Sequence, residues 1–126
     1  MRALIATEHA EQVAVIQWVD AQMGAWPELR TLFAVPNGGD RNPAVAAKLK
    51  AEGVRRGVPD LVWLYPRANY HGLLLELKRR DGGRLSREQR DMCGALECFG
   101  YAVCICRGAQ EAIDCIQWYR DFRGDR

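Results

Sequence analysis

The alternation of apolar and polar residues divides the chain into alternating helices and strands. Thr7 can cap a helix from Glu8 to about Met23, in which apolar residues recur at helical spacing. Three later helices are predicted over 43–52, 87–99 and 109–119, and strands over 31–35, 61–64, 73–78 and 101–106. One strand-to-strand hairpin and one helical crossover in this order predict an α/β fold, a small mixed sheet flanked by helices on both sides.

The first helix carries two acids in its first turn. Val15, Ile16 and Val19 define an apolar face that also takes in Gln12, and the helical spacing places Glu8 on this face and Glu11 to its side. Glu8 has two interpretations: it complements the positive end of the helix dipole, or it faces a functional site.

The stretch from 57 to 78 places charged groups inside apolar runs. Asp60 begins one run, and Glu76 lies between two leucines near the end of the next. A buried, unpaired carboxylate costs several kcal/mol, so a partner is expected. Strand alternation puts Leu74, Glu76 and Lys78 on one face of the sheet. A divalent cation held by Asp60 and Glu76, with Lys78 beside it, would satisfy both acids; the alternative is a solvated Glu–Lys pair on an edge strand.

The composition describes one domain of ordinary globular type. The chain has 126 residues, of which 48% are hydrophobic and 27% charged. No apolar run approaches the roughly 20 residues of a membrane span, and the N-terminus lacks the apolar region of a signal peptide. We therefore expect a single domain over 1–126 and a cytoplasmic location.

The five cysteines form no zinc-binding or redox motif. Their number is odd, they cluster in the last third of the chain, and no pair has the Cys-x-x-Cys spacing. In apolar helices and strands a free cysteine behaves as a small hydrophobic residue. The sequence thus predicts reduced thiols in the core.

The positive charge is concentrated around the carboxylates. Residues 41–90 hold twelve Lys or Arg against five acids, although the whole chain has a net charge of only +2. This distribution favours a polyanion such as nucleic acid, and the alternative is a solvated basic face. In the turn at 36–39, Asn37 and Gly38 either let the backbone approach a phosphate or simply form a turn. The candidate nucleic-acid-binding residues are Asn37, Gly38, Arg41, Lys48, Arg55, Arg56, Arg79, Arg80 and Arg84.

The motifs resemble those of a known nuclease superfamily. Pro59-Asp60, fifteen intervening residues and Glu76-Leu77-Lys78 are similar to the PD-(D/E)XK signature. The surrounding segments 36–39, 53–61 and 85–89 are similar to the virus-type replication-repair nuclease (VRR-NUC) domain, and the similarity extends from Glu8 to about Ile116. The resemblance implies a restriction-endonuclease-like PD-(D/E)XK core.

The resemblance also assigns roles to the central residues. Asp60 and Glu76 match the metal-holding carboxylates, and the backbone carbonyl of Leu77 matches an additional ligand. Lys78 matches the lysine that orients and polarises the attacking water. It holds this water, accepts its proton or stabilises charge, and the sequence leaves these three roles open.

Two helical residues of the family have counterparts here. Glu8 matches the glutamate of the family's first helix because Gln12 follows four residues later, with Glu11 as the second choice. Gln89 matches a glutamine on the helix after the active-site hairpin, although a capping box would also explain it. Cys93 stands where the superfamily often has a tyrosine.

Membership of this family implies a nuclease that hydrolyses phosphodiester bonds with Mg²⁺ or Mn²⁺ and leaves a 5′-phosphate and a 3′-hydroxyl. Standalone phage-type members resemble Holliday-junction resolvases and tend to be homodimers. We therefore expect a dimeric, structure-selective DNA endonuclease with a role in DNA repair. The alternatives are a nuclease acting on flaps, single strands or plain duplex, and a DNA-binding module without catalysis.

Overall fold

A computed structural model describes residues 5–36 and 42–124. Within these residues the predicted helices and strands are all present, with ends shifted by a few residues. A short 3₁₀ helix opened by Pro27 was not predicted. The elements in chain order are α1 (Glu8–Gln22), the 3₁₀ helix (Pro27–Thr31), β1 (Leu32–Ala34), α2 (Pro43–Ala51), β2 (Leu61–Trp63), β3 (Leu73–Lys78), α3 (Arg87–Cys98), β4 (Ala102–Arg107) and α4 (Ala109–Asp121).

The strands form one mixed sheet in the order β1-β2-β3-β4. The β1–β2 and β2–β3 pairs are antiparallel, and β3 and β4 run parallel, joined by the crossover helix α3. Leu75 pairs with Leu61 of β2, and Glu76 pairs with Ile105 of β4. The strand that carries Glu76 is therefore an inner strand, which excludes the edge-strand interpretation of the Glu–Lys pair.

The two faces of β3 have different environments, as strand alternation predicts. Leu73, Leu75 and Leu77 are at most 1% exposed and belong to the hydrophobic core, to which α1 and α4 contribute. Glu76 and Lys78 lie on the opposite face, where α3 packs. This layered arrangement confirms the predicted α/β fold with helices on both sides of a mixed sheet.

Two large aromatic side chains fill the core next to β2. Trp63 and Tyr119 are fully buried with ring centroids 5.4 Å apart. The Trp63 indole N–H donates to the Glu28 carbonyl in the 3₁₀ helix, and the Tyr119 hydroxyl donates to the Tyr65 carbonyl. Burial raises the pKa of Tyr119 to about 12. The polar ends of both rings are thus satisfied inside the core, as buried polar groups require.

The buried face of α1 differs from the predicted one. The buried residues are Glu11, Val15 and Val19, whereas Glu8 is exposed. A stripe at four-residue spacing from Val19 runs back through Val15 to Glu11, so Glu11 rather than Glu8 points into the protein. The prediction that Glu11 lies to the side of the buried face is wrong, and Glu8, although seven residues before Val15 and so close to the same face, is exposed in the first turn.

Two cysteines also depart from expectation. Cys104 of β4 and Cys115 of α4 are joined by a disulfide, because the core face of β4 lies against α4. The prediction of reduced thiols is therefore wrong for this pair. Cys93, Cys98 and Cys106 are free, and the first and third are buried.

Among the described residues, no helix has both the length and the hydropathy needed to cross a membrane.

The loop before β2 is fixed against the start of α3. Gly57 adopts a φ of +89°, and a Cβ atom at this position would lie 2.3 Å from the Glu88 carbonyl oxygen. Only glycine allows both this backbone conformation and this close approach. Gly53, in the same loop, has a φ of +105° but meets no atom within 4 Å.

We expect Gly57→Ala to lower the free energy of unfolding by about 3 to 4 kcal/mol, from strain and from displacement of the loop. The matched variant Gly53→Ala should cost only about 1 to 2 kcal/mol, since it suffers strain alone. Chemical denaturation measures both, and equal losses would show that the contact with α3 does not hold the loop.

Candidate active site

Asp60 lies at the entrance to β2 and is held by two backbone contacts. Its carbonyl accepts a hydrogen bond of 2.9 Å from the Val35 amide, next to β1. Its side chain accepts one of 2.7 Å from the Leu77 amide to Oδ2. The carboxylate thus occupies the place where β2 would otherwise have continued its pairing with β3.

Gln89 of α3 connects the other two charged groups. Its Nε2 donates to Glu76 Oε1 at 2.9 Å, and its Oε1 accepts from Lys78 Nζ at 3.1 Å. Lys78 Nζ lies 3.7 Å from the same oxygen of Glu76. One amide side chain therefore fixes the distance between the acid and the ammonium.

Gln89 also completes the capping box of α3. Its Oε1 accepts from the Ser86 amide at 2.8 Å, and its own amide donates to the Ser86 hydroxyl at 3.1 Å. The sequence left a structural and a functional interpretation of Gln89 open, and the structure contains both sets of contacts. The helix cap orients the side chain that reaches Glu76 and Lys78.

The site lies deep enough to perturb both carboxyls. Burial, and secondarily the negative charge of Asp60, raises the pKa of Glu76 to about 7, while Lys78 acts in the opposite direction. Burial also raises the pKa of Asp60, although its hydrogen bond from Leu77 and the nearby charge of Lys78 oppose this. Glu76 is only 2% exposed, so its negative charge is costly without further compensation.

These residues fit a divalent cation. Oε2 of Glu76 is buried and receives no hydrogen bond from any donor in the described chain. Asp60 and Glu76 perturb each other's pKa, which places the two carboxyls near each other, so one ion could reach both. Two carboxylates supply the hard oxygen donors that Mg²⁺ and Mn²⁺ prefer.

A third donor would have to come from outside the acidic and thiol side chains. No group of three His, Cys, Asp or Glu residues converges within residues 5–36 and 42–124. Lys78 O accepts from the Gly108 amide on the β4 side, so the adjacent Leu77 carbonyl projects toward β2. The Leu77 amide points the same way, toward Asp60, so this carbonyl lies on the side where Asp60 is held.

The two acids of α1 occupy different environments. Glu8 is exposed, and its charge contributes to the raised pKa of Glu76, which places it near the carboxylate pair. Glu11 is buried and pairs with Arg80 instead, with Nε 2.9 Å from Oε1. An open cavity of about 530 Å³ adjoins the first turn of α1; its lining residues are Ile5, Thr7, Glu8, His9 and Arg79.

The candidate nucleic-acid-binding residues are exposed wherever the structure describes them. Arg79 forms an ion pair of 3.2 Å with the exposed Asp81, and Arg80 pairs with Glu11. Lys48 is on α2, Arg55 and Arg56 precede Gly57, and Arg84 precedes α3. That they bind nucleic acid stays a prediction; Asn37, Gly38 and Arg41 lie outside the described residues.

Arg107 and Gly83 lie near the site and were not predicted to matter. Arg107 Nη1 donates to the carbonyls of Gly82 and Gly83, holding the β3–α3 turn. Gly83 in turn packs against the Lys78 stem, since a Cβ there would lie 3.4 Å from Lys78 Cδ. The buried Cys93 thiol has a raised pKa, chiefly from burial and then from the charge of Glu76, so it stays protonated. Nothing in the sequence pattern indicated the contact of Arg107, because this residue lies at the end of a separate strand, β4.

Comparison with known proteins agrees with the fold. The family model of the VRR-NUC domain matches residues 6–110. A solved structure described as a VRR_NUC domain protein superimposes with a TM-score of 0.79 and 29% sequence identity, over 92% of this chain and 89% of that one. None of the curated proteins compared matches the chain. The family match indicates a nuclease-type function in DNA processing, and the chain belongs to the VRR-NUC family.

Proposed function

We propose that this nuclease domain is a Mg²⁺- or Mn²⁺-dependent, structure-selective DNA endonuclease of the Holliday-junction-resolvase kind. The observation that carries the proposal is the state of Glu76. This carboxylate is buried on an inner strand and is hydrogen-bonded by Gln89 through one oxygen. Its other oxygen is left without a donor in the described chain, and a second, half-buried carboxyl, Asp60, lies nearby.

The proposed metal-holding groups are Asp60, Glu76 and the Leu77 carbonyl, with Glu8 close by. When bound, the ion would supply a nucleophile from water at neutral pH and neutralise charge on the phosphoryl oxygens. Glu11 is not proposed for this role, because both of its carboxylate oxygens already have partners on the protein. We therefore propose Glu8 as the helix glutamate of the site.

Lys78 is proposed to orient the attacking water. The Lys78 side chain is buried, and Gln89 and Glu76 hold its ammonium on one side. An ammonium has three donors, so donors remain for a water or for a phosphate oxygen. Gln89 is proposed to hold the Glu76 carboxylate and the Lys78 ammonium at a fixed distance during the reaction.

The DNA is proposed to approach where the exposed basic residues surround these groups. Arg55 and Arg56 precede the loop glycine that packs on α3, and Arg84 precedes α3 itself. Arg79 lines the cavity beside α1. A phosphodiester placed among them would be cut to give a 5′-phosphate and a 3′-hydroxyl.

A homodimer is proposed because a branched junction has two strands to cut. The described chain contains one Asp60–Glu76–Lys78 site. Two sites at a fixed separation require a second copy, and a two-fold axis would match the symmetry of a four-way junction.

We expect Glu76→Gln and Lys78→Ala to lower the cleavage rate of four-way junction DNA with Mg²⁺ by at least about 100-fold. Glutamine has nearly the same size as glutamate and keeps a hydrogen-bond acceptor. A loss of activity in Glu76→Gln would therefore be due to the loss of the negative charge. Cleavage of junction, flap, splayed and duplex DNA by wild-type protein is measured beside the variants.

The outcomes separate the alternatives. Unchanged cleavage by Glu76→Gln would show that the assigned site is wrong. Equal rates on all four substrates would remove the junction preference, and DNA binding without cleavage by wild-type protein at any divalent metal would leave a binding module.

We expect the metal-free protein to lose stability as the pH rises. The pKa of Glu76 is raised from its usual 4.5 to about 7 in the folded state, so folding favours the protonated form. Stability is therefore full below the usual value and falls as the pH passes through about 7, by roughly 1 to 3 kcal/mol. Denaturation from about pH 5 to about pH 8 measures this change.

Either Mg²⁺ or the substitution Glu76→Gln should abolish most of that loss of stability. Mg²⁺ should stabilise the protein more at about pH 8 than at about pH 5, because it binds the ionised carboxylates. Glu76→Gln should flatten the pH dependence and weaken the effect of Mg²⁺. A wild-type stability that stays constant with pH and is insensitive to Mg²⁺ would contradict the proposed ion site.

Substitution of both Arg55 and Arg56 by Ala should weaken junction binding and reduce the slope of log K against log salt by about 0.9 per lost phosphate contact. Within the described chain neither side chain has a hydrogen bond or ion pair that it would have to give up. Arg123→Ala, an exposed arginine after α4, is the control. An unchanged slope in the double variant would place the DNA elsewhere.

A further inference from the structure

We infer that Glu11 and Arg80 form a clamp that positions the catalytic Lys78, so that Arg80 serves as a positioning residue rather than a phosphate contact. The inference rests on the proposed function for its kinetic and DNA-binding tests, but not for its hydrogen-exchange test. It reassigns a residue of the basic segment from substrate binding to the support of the site.

The clamp is built on a buried carboxylate that the proposed chemistry does not use. Glu11 is 2% exposed and lies on the core face of α1. Its Oε2 accepts a short hydrogen bond from the Ala109 amide, in the first turn of α4. Its Oε1 lies 2.9 Å from Arg80 Nε in an ion-pair contact without the alignment of a hydrogen bond. One carboxylate therefore joins α1, the start of α4 and the residue that follows β3 by two positions.

Gly108 brings this clamp to the catalytic strand. A Cβ atom on Gly108 would lie 2.9 Å from Arg80 Nε and 3.3 Å from Glu11 Oε2, so only glycine lets Arg80 lie across the backbone here. The Gly108 amide donates to the Lys78 carbonyl at 3.2 Å. The backbone of Lys78 is thus fixed at the point where Arg80 and Glu11 meet.

The positive charge of Arg80 compensates the buried negative charge of Glu11. If the guanidinium swung away to a phosphate, Glu11 would keep a buried negative charge with only a backbone amide as partner. Arg79, its neighbour, pairs with an exposed aspartate that water can solvate equally well. Both arginines are exposed, but only Arg80 faces a buried acid, so we expect Arg79 to bind DNA and Arg80 to stay beside Glu11.

The kinetic test compares Glu11→Gln, Arg80→Ala and the double variant on junction DNA. Gln keeps an acceptor for the Ala109 amide and removes only the charge. Each single variant should lower kcat by about 10-fold to 100-fold through misplacement of Lys78. The double variant should be no slower than the worse single variant, because both remove one interaction.

Binding measured with Ca²⁺ in place of Mg²⁺ separates the two roles of arginine. Arg80→Ala should leave the Kd and its salt dependence unchanged, whereas Arg79→Ala should weaken binding and lower the salt slope by about 0.9. A raised Kd and a lower slope for Arg80→Ala, with kcat intact, would overturn the inference.

A second measurement does not depend on activity. Hydrogen exchange of the Gly108 amide, which the clamp protects through Lys78 O, should speed up by at least about 10-fold in Glu11→Gln and Arg80→Ala. Amides of β2 serve as the internal control for global stability. Unchanged Gly108 exchange would overturn the clamp even if the variants lose activity, and a wild type that exchanges as expected but cleaves no DNA would refute the proposed function alone.

Discussion

The structure depends on the burial of one carboxylate in the middle of a sheet. Glu76 lies on an inner strand whose other face fills the core with three leucines. Its ionised form is costly there, and the raised pKa expresses that cost. The neighbouring elements can be understood by what they do for this group. The N-terminus of α3 supplies Gln89, β3 itself supplies Lys78, and the entrance to β2 brings a second carboxyl instead of a cation. Stability alone would not favour two acids together, and their pairing supports the proposed cation site.

The site is surrounded by backbone contacts that leave its parts little freedom. Asp60 is fixed from β1 and β3, and Gln89 is fixed by its own helix cap. The loop between Asp60 and α2 approaches α3 so closely that position 57 has to be glycine. Catalytic groups need placement to a fraction of an ångström, and backbone hydrogen bonds at element ends provide it more rigidly than flexible side chains could. The supporting contacts thus lie on elements far apart in the chain.

Charge in this protein serves two purposes that composition cannot distinguish. The excess of basic residues between 41 and 90 suggested a single surface for a polyanion. In the structure, Lys78 is buried at the carboxylates and Arg80 balances a second buried acid, while Arg55, Arg56 and Arg84 are exposed. A basic segment is therefore a poor guide to the strength of binding unless the internally paired cations are first set aside.

The sequence by itself determined the elements, their order and the three charged residues of the site. Periodicity and helix caps are local properties of the sequence. Ser86 and Asn42 therefore correctly predicted where two helices begin, and the alternation of β3 correctly predicted which side chains share a face. The motif spacing likewise pointed to Asp60, Glu76 and Lys78, which the structure brings together, and to the family to which the chain belongs. The tertiary structure alone decided which acid of α1 is buried, which cysteines pair and what each arginine contacts. Three residues turn the helix by about 300°, which leaves Glu8 and Glu11 only about 60° apart around α1, so they could be told apart only by what packs on α1. The partners of Glu11, Ala109 and Arg80, come from chain segments about 70 to 100 residues away, and no local pattern encodes a contact that the packing of α1, β3 and α4 creates.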